Sequence, residues 1–218
     1  MVGKRKKNRL QCIVTALKAE SDPLIRFFDL APDHSMNFPL FRGDGLALLG
    51  VGVGKNKIAK NLGAFLENEI KQNLVQVINI GVSGGNPKSS KIGQCYLANK
   101  IVDAETNESH VIDIPIEHNL EEKSLVTVMK CVTNGGDSHL ELVDMEASAI
   151  CAVSQKYIPI ERLAVLKVVS DYMDLENANF PFDIITDLIE NNLSIINKFL
   201  LDFRSIMALN DNVKRVMN

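Results

Sequence analysis

The sequence predicts an α/β fold organised around a central mixed β-sheet, and three features carry that prediction. Apolar runs of strand length, at 10–16, 46–53, 75–80 and 163–169, alternate with segments of helical periodicity. The last of these runs is almost continuously apolar, the mark of a strand buried on both faces. It stops abruptly at Ser170-Asp171, which puts a carboxylate at a strand's carboxyl end, where ligands bind in open α/β sheets.

Taken in order, the first strand runs from Leu10 to Ala16. A helix start is then signalled by Ser21 as cap and Pro23 at the first helical position, which leaves Glu20 in the intervening turn. Residues 28–42 hold two prolines and no clear period, so they read as irregular. The strand at 46–53 leads into Gly50-Val51-Gly52-Val53-Gly54-Lys55, which lacks the glycine spacing and the hydroxyl of a phosphate loop and misses the dinucleotide fingerprint too. The helix that follows, 55–71, presents Ile58, Leu62, Phe65 and Ile70 on one face.

A third strand, 75–80, ends in the small-residue turn Gly81-Val82-Ser83-Gly84-Gly85, and a fourth spans 93–103. From Asp103 to Glu122 stand seven acidic residues and no Lys or Arg, which reads as a solvated excursion. Weak strand signals follow at 111–116 and 126–131, with a turn at 133–137. Asp144, Met145 and Glu146 open a helical segment with Met145, Ala149, Ile150 and Val153 together, so a carboxylate falls near a helix N-terminus. One long amphipathic helix is expected over 182–207, and polar tails over 1–9 and 210–218 of an otherwise single domain.

Composition excludes several classes. A net charge of -3, with the signs interspersed, supplies no basic field for nucleic acid. The basic run Lys4-Arg5-Lys6-Lys7 precedes an apolar stretch too short and too polar for a secretory signal, and residues 45–54 reach only half a membrane span. Cys12, Cys95, Cys131 and Cys151 lie far apart with no Cys-x-x-Cys pair, so a reducing cytoplasm is the default location. The four histidines show no ligand spacing, and neither a metal nor any other cofactor is called for.

The pair VDMEASAI (143–150) and VVSDYMD (168–174) resembles the paired motifs of the nucleoside phosphorylase/nucleosidase superfamily. It is most similar to the 5'-methylthioadenosine/S-adenosylhomocysteine nucleosidases. The resemblance, from Leu10 to about Phe203, implies a three-layer sandwich and hydrolysis of the N-glycosidic bond of a purine nucleoside. By motif, Met145 and Glu146 would grip the ribose, Asp171 would protonate the departing purine, and Ser170 would orient Asp171. TALKAE (15–20) places Glu20 where the family carries the glutamate that activates water. Val82, Ser83 and Gly84 match the family's Asn-Thr-Gly-Ser-Ala-Gly-Gly turn, which lines the base and ribose pocket, with the serine displaced by one residue. A homodimer is implied in the same way.

Asn79 stands where the phosphorylases place an arginine, which weakens a phosphate site. Departures from the nucleosidase pattern keep alternatives open: the displaced serine at Val82-Ser83, and Gln94 where Asp is usual. No aromatic residue lies between Tyr96 and Tyr157, the region from which the family takes the ring that stacks on the purine, which leaves Tyr172, Phe180, Phe182 or a second subunit. A phosphate-dependent phosphorylase and a catalytically impaired nucleoside-binding protein are the alternatives. The expected chemistry is that of paired carboxylates, with Asp171 as acid and Glu20 as base on opposite faces of the glycosidic carbon.

Overall fold

The computed structural model describes residues 8–139, 141–174 and 181–216, with side chains through 207. The strands are β1 (Asn8–Thr15), β2 (Ala31–Pro32), β3 (Leu40–Gly43), β4 (Leu46–Gly50), β5 (Asn73–Gly85), β6 (Cys95–Asp103), β7 (Ser109–Val111), β8 (Glu121–Thr127), β9 (Leu142–Asp144) and β10 (Leu163–Asp171). The helices are α1 (Lys18–Phe27), α2 (Lys55–Glu69), α3 (Ala147–Ser154), α4 (Phe182–Glu190) and α5 (Leu193–Val216). All ten strands join one mixed sheet in the order β10-β6-β8-β9-β5-β1-β4-β3-β2, with β7 beside β6. Helices pack about it in two groups, α1 against α4 and α2 against α3, which makes the α/β sandwich expected.

The sheet also closes on itself, since β10 pairs with β5 in parallel and with β6 antiparallel. A ring β5-β10-β6-β8-β9 results, with the upper end of β5 bonded to β9 at Gly84 and Gly85. This explains why β5 is longer than its apolar run. The Gly81–Gly85 segment, expected as a turn, continues as strand because β10 and β9 supply partners for its backbone. Burial of β10 on both faces, from Leu163 to Ser170, matches its continuous apolar sequence.

Other boundaries moved for local reasons. α1 begins at Lys18 rather than after a Ser21 cap, so Glu20 lies in its first turn and not in a loop before it; Glu20 Oε2 accepts the N–H groups of Ala16 and Leu17 and so satisfies the helix entry. Ser21 instead pairs with the Thr15 hydroxyl at 2.6 Å. Residues 28–42 contain β2 and part of β3, which extend the sheet edge. The acidic stretch is not wholly solvated: Asp103, His110, Ile112, Ile114 and Leu120 are buried. β8 starts at Glu121, where its backbone pairs in parallel with Tyr96 of β6, and Lys123 buries its stem while its ammonium reaches Glu121 (2.7 Å) and Glu141 (3.5 Å).

The long C-terminal helix is two helices. At the break, the Asn192 side-chain amide donates to the Leu188 and Gly93 carbonyls, tying the junction to the loop before β6. The first and last elements reach Asn8 and Val216, so 8–9 and 210–216 belong to regular structure rather than to tails. Among the described residues no helix is long and apolar enough to cross a membrane.

Candidate active site

The carboxyl ends of β1, β5 and β10 converge on one cavity of about 340 Å³. Glu20, Val82, Ser83, Gly84, Met145, Glu146, Ser170 and Asp171 all line it, so the eight residues singled out by motif are brought together. The rest of the wall is mainly aliphatic or sulfur-bearing: Leu17, Val53, Val128, Cys131, Val132, Val143, Met173 and Ile185, with Asp144 among them.

Glu20 is 3 % exposed and is held by three backbone donors, Ala16 and Leu17 on Oε2 and Val82 on Oε1 at 3.0 Å. Each carboxylate oxygen can accept about two hydrogen bonds, so Oε1 keeps one free acceptor position for a ligand. Gly81 makes this placement possible, because a Cβ there would lie 2.7 Å from Oε1. Burial raises the Glu20 pKa, against the opposing pull of Lys167 and the three N–H donors. The carboxylate is thereby a stronger proton acceptor than an exposed glutamate.

At the end of β10 the register slips between Val169 and Asp171. Asp171 Oδ1 accepts the Met173 N–H at 2.7 Å, and Oδ2 is hydrogen-bonded to the Ser170 hydroxyl at 2.6 Å. Ser170 Oγ also reaches the Ser83 carbonyl at 3.1 Å, so a single serine ties the acid to β5. Ser83 Oγ is buried in the cavity wall with no hydrogen-bond partner among the described residues, which leaves a donor and acceptor for a ligand. Val82 contributes its backbone to Glu20 as well as its side chain to the wall.

Met145 and Glu146 join β9 to α3. Glu146 is the residue before the helix but makes no side-chain cap. Asp144 supplies that bond, accepting the Ala147 N–H at 2.9 Å, which leaves the Glu146 carboxyl free to face the cavity. Burial, with Asp144 and Glu20 as neighbouring charges and Lys167 opposing them, pushes the Glu146 pKa up to about 7.

Two residues, one in the wall and one behind it, were given no role by the motif reading. Lys167, 2 % exposed, forms a 2.9 Å ion pair with Asp144, itself 6 % exposed. Burial works against the Lys167 charge, but Asp144, Glu146 and Glu20 outweigh it and raise the pKa. The pair continues outward: Asp144 accepts from Thr127 Oγ1 (2.6 Å), which accepts the Ser148 N–H, and Ser148 Oγ donates to Asp103, the partner of Lys55. A single lysine inside the otherwise apolar run at 163–169 was the available signal, since buried lysine needs a partner.

No protein-family model matches the chain, and no curated protein sequence does. Solved structures do. A Helicobacter pylori 5'-methylthioadenosine/S-adenosylhomocysteine nucleosidase, in complex with a pyrrolidinol-based ligand, superposes with TM-score 0.70 and 18% identity, over 89% of this chain and 99% of that one. The apo Arabidopsis thaliana 5'-methylthioadenosine nucleosidase gives TM-score 0.71 and 18% identity over 91% and 97%. A Chlamydia trachomatis nucleosidase variant bound to methylthioadenosine gives 0.70 and 20% over 89% and 99%. The chain has the methylthioadenosine nucleosidase fold.

Against that fold, the expected aromatic is missing from the described wall of the cavity. Tyr172 is half-buried and Phe182 is exposed at the start of α4, and neither lines it; Phe180 lies outside the described residues. Asn79 is buried in β5, donates to the Val14 carbonyl and is not part of the wall. Among the described lining residues there is no Arg or Lys. No group of His, Cys, Asp and Glu among the described residues is arranged to hold a metal ion.

Proposed function

We propose that this protein hydrolyses the N-glycosidic bond of a purine nucleoside such as 5'-methylthioadenosine or S-adenosylhomocysteine. The observation that carries the reading is the meeting of Glu20, Glu146 and Asp171, from three separate elements, on one cavity of nucleoside-compatible size. Breaking the bond from C1' to the base leaves positive charge on the ribose and negative charge on the purine. Asp171 delivers a proton to the base. The Ser170 hydroxyl, 2.6 Å from Asp171 Oδ2, and the Met173 N–H on Oδ1 hold the carboxyl in place for that transfer. Glu20 takes a proton from water as its oxygen bonds to C1', so free base and free sugar are the products. A positioned acid or base contributes roughly 10²–10⁴-fold each.

Glu146 accepts from ribose hydroxyls, and Met145 packs on the sugar. Glu20, Asp144 and Glu146 outnumber Lys167, and their field is complementary to a ribosyl cation. A wall without Arg or Lys among its described residues supports water rather than phosphate as the acceptor. A cytoplasmic homodimer completes the reading. The test is incubation with a panel of purine nucleosides with and without phosphate. Free sugar and base formed at the same rate in both is the expected result, and sugar 1-phosphate as product overturns it.

A further inference from the structure

Met173 adopts a backbone conformation, φ 59, that residues other than glycine rarely take. Two hydrogen bonds hold it there: its N–H donates to Asp171 Oδ1 at 2.7 Å, and its carbonyl accepts the Gly135 N–H at 2.6 Å. Though beyond the end of β10, it is only 3 % exposed. The side chain threads between two glycines from different segments. A Cβ on Gly84 would lie 2.5 Å from Met173 Cγ, and a Cβ on Gly136 would lie 2.8 Å from its Cε. Bare backbone on both sides therefore fixes where the thioether sits, and such local strain is typical of working sites.

That position is beside the acid. The same hypothetical Gly84 Cβ would be 3.6 Å from Asp171 Oδ1, and Met173 lines the cavity with Cys131, Val132 and Gly84. Whatever Asp171 protonates must lie against this patch. The patch is apolar and sulfur-bearing, and none of the described lining residues is aromatic. A thioether is polarisable and makes favourable contacts with aromatic rings.

We propose that Met173 is the specificity-determining residue of the base subsite: its thioether packs on the leaving base that Asp171 protonates. The proposal rests on the hydrolase reading above but is tested by binding as well as by turnover. Free purine base is titrated by calorimetry into the wild type, Met173→Ala, Met173→Leu and Met173→Gln, alongside kcat and KM for the best nucleoside. Met173→Ala and Met173→Gln are expected to weaken free-base binding and raise KM by roughly tenfold. Met173→Leu, which keeps the apolar volume, stays within about threefold of the wild type. The affinity for free ribose changes little in all three, whereas a purely structural role would lower the melting temperature and leave base affinity per folded molecule unchanged. Unchanged base affinity in the folded variants overturns the proposal, and if Met173→Ala does not fold, Met173→Gln decides. A wild type that binds purine base without cleaving nucleosides removes the hydrolase reading and leaves this one standing; a wild type that binds no base overturns it.

Discussion

Replacing Glu146 by Gln should make the protein more stable above neutral pH, and the structure fixes the size and sign of that gain. Burial and the neighbouring Asp144 and Glu20 charges move the Glu146 pKa from 4.5 to about 7. A native carboxyl that holds its proton more tightly than the unfolded chain does makes stability fall as pH rises between these two values. The loss is complete once both states are ionised, and a shift of this size corresponds to about 3 kcal/mol. Glu146→Gln removes the titration, so wild type and variant should converge near pH 4.5 and separate by up to about 3 kcal/mol at pH 8. For a domain of this length that is roughly 6–12 °C in melting temperature. Glu20, raised in the same direction, titrates in both proteins; relief of its repulsion by Glu146 adds to the gain of the variant. The assay is thermal and urea unfolding of both proteins from pH 4.5 to 8.5. Parallel stability curves, or a variant that falls below the wild type at pH 8, would refute the reasoning. On the proposed contact of Glu146 with ribose, activity moves the other way, because an amide accepts hydrogen bonds less strongly than a carboxylate.

Asp171→Asn keeps the acceptor for the Met173 N–H but has no proton to give, so turnover should drop by about 10²–10⁴-fold with nucleoside affinity far less changed; near-normal kcat would sink the assignment. Lys167→Met leaves Asp144 buried without its cation and should cost about 3–5 kcal/mol in urea unfolding, while Lys167→Arg retains most of the stability; equal losses in the two would argue against the ion pair. Gly81→Ala places a Cβ 2.7 Å from Glu20 Oε1, and should displace the carboxylate from the Val82 N–H. About 1–3 kcal/mol of stability and most of the activity are expected to go with it, and an active, fully stable Gly81→Ala protein would contradict the placement of Glu20.

The alternation of apolar runs and amphipathic segments was enough for the α/β class, because burial on both faces of β10 and on one face of α2 is written directly into residue spacing. The acid at the end of β10 was legible for the same reason: an apolar run can stop at a carboxylate only where the sheet ends. Closure of the ring was not legible, since whether Gly81–Gly85 is turn or strand depends on β9 and β10 arriving beside it from 57 to 87 residues further along the chain. The break at Asn191-Asn192 was hidden too, because the apolar period continues across it and only the Gly93 carbonyl, a tertiary partner, fixes the junction. For the candidate site, the sequence determined which carboxylates were worth watching. Only the tertiary structure decided their states, because Glu146 near pKa 7, a raised Glu20 and a charged Lys167 are consequences of burial and mutual distance among α1, β9, α3 and β10. Met173 belongs to the same category: its chemistry is visible in the sequence, but its contact with Asp171 depends on two glycines that lie 89 and 37 positions before it.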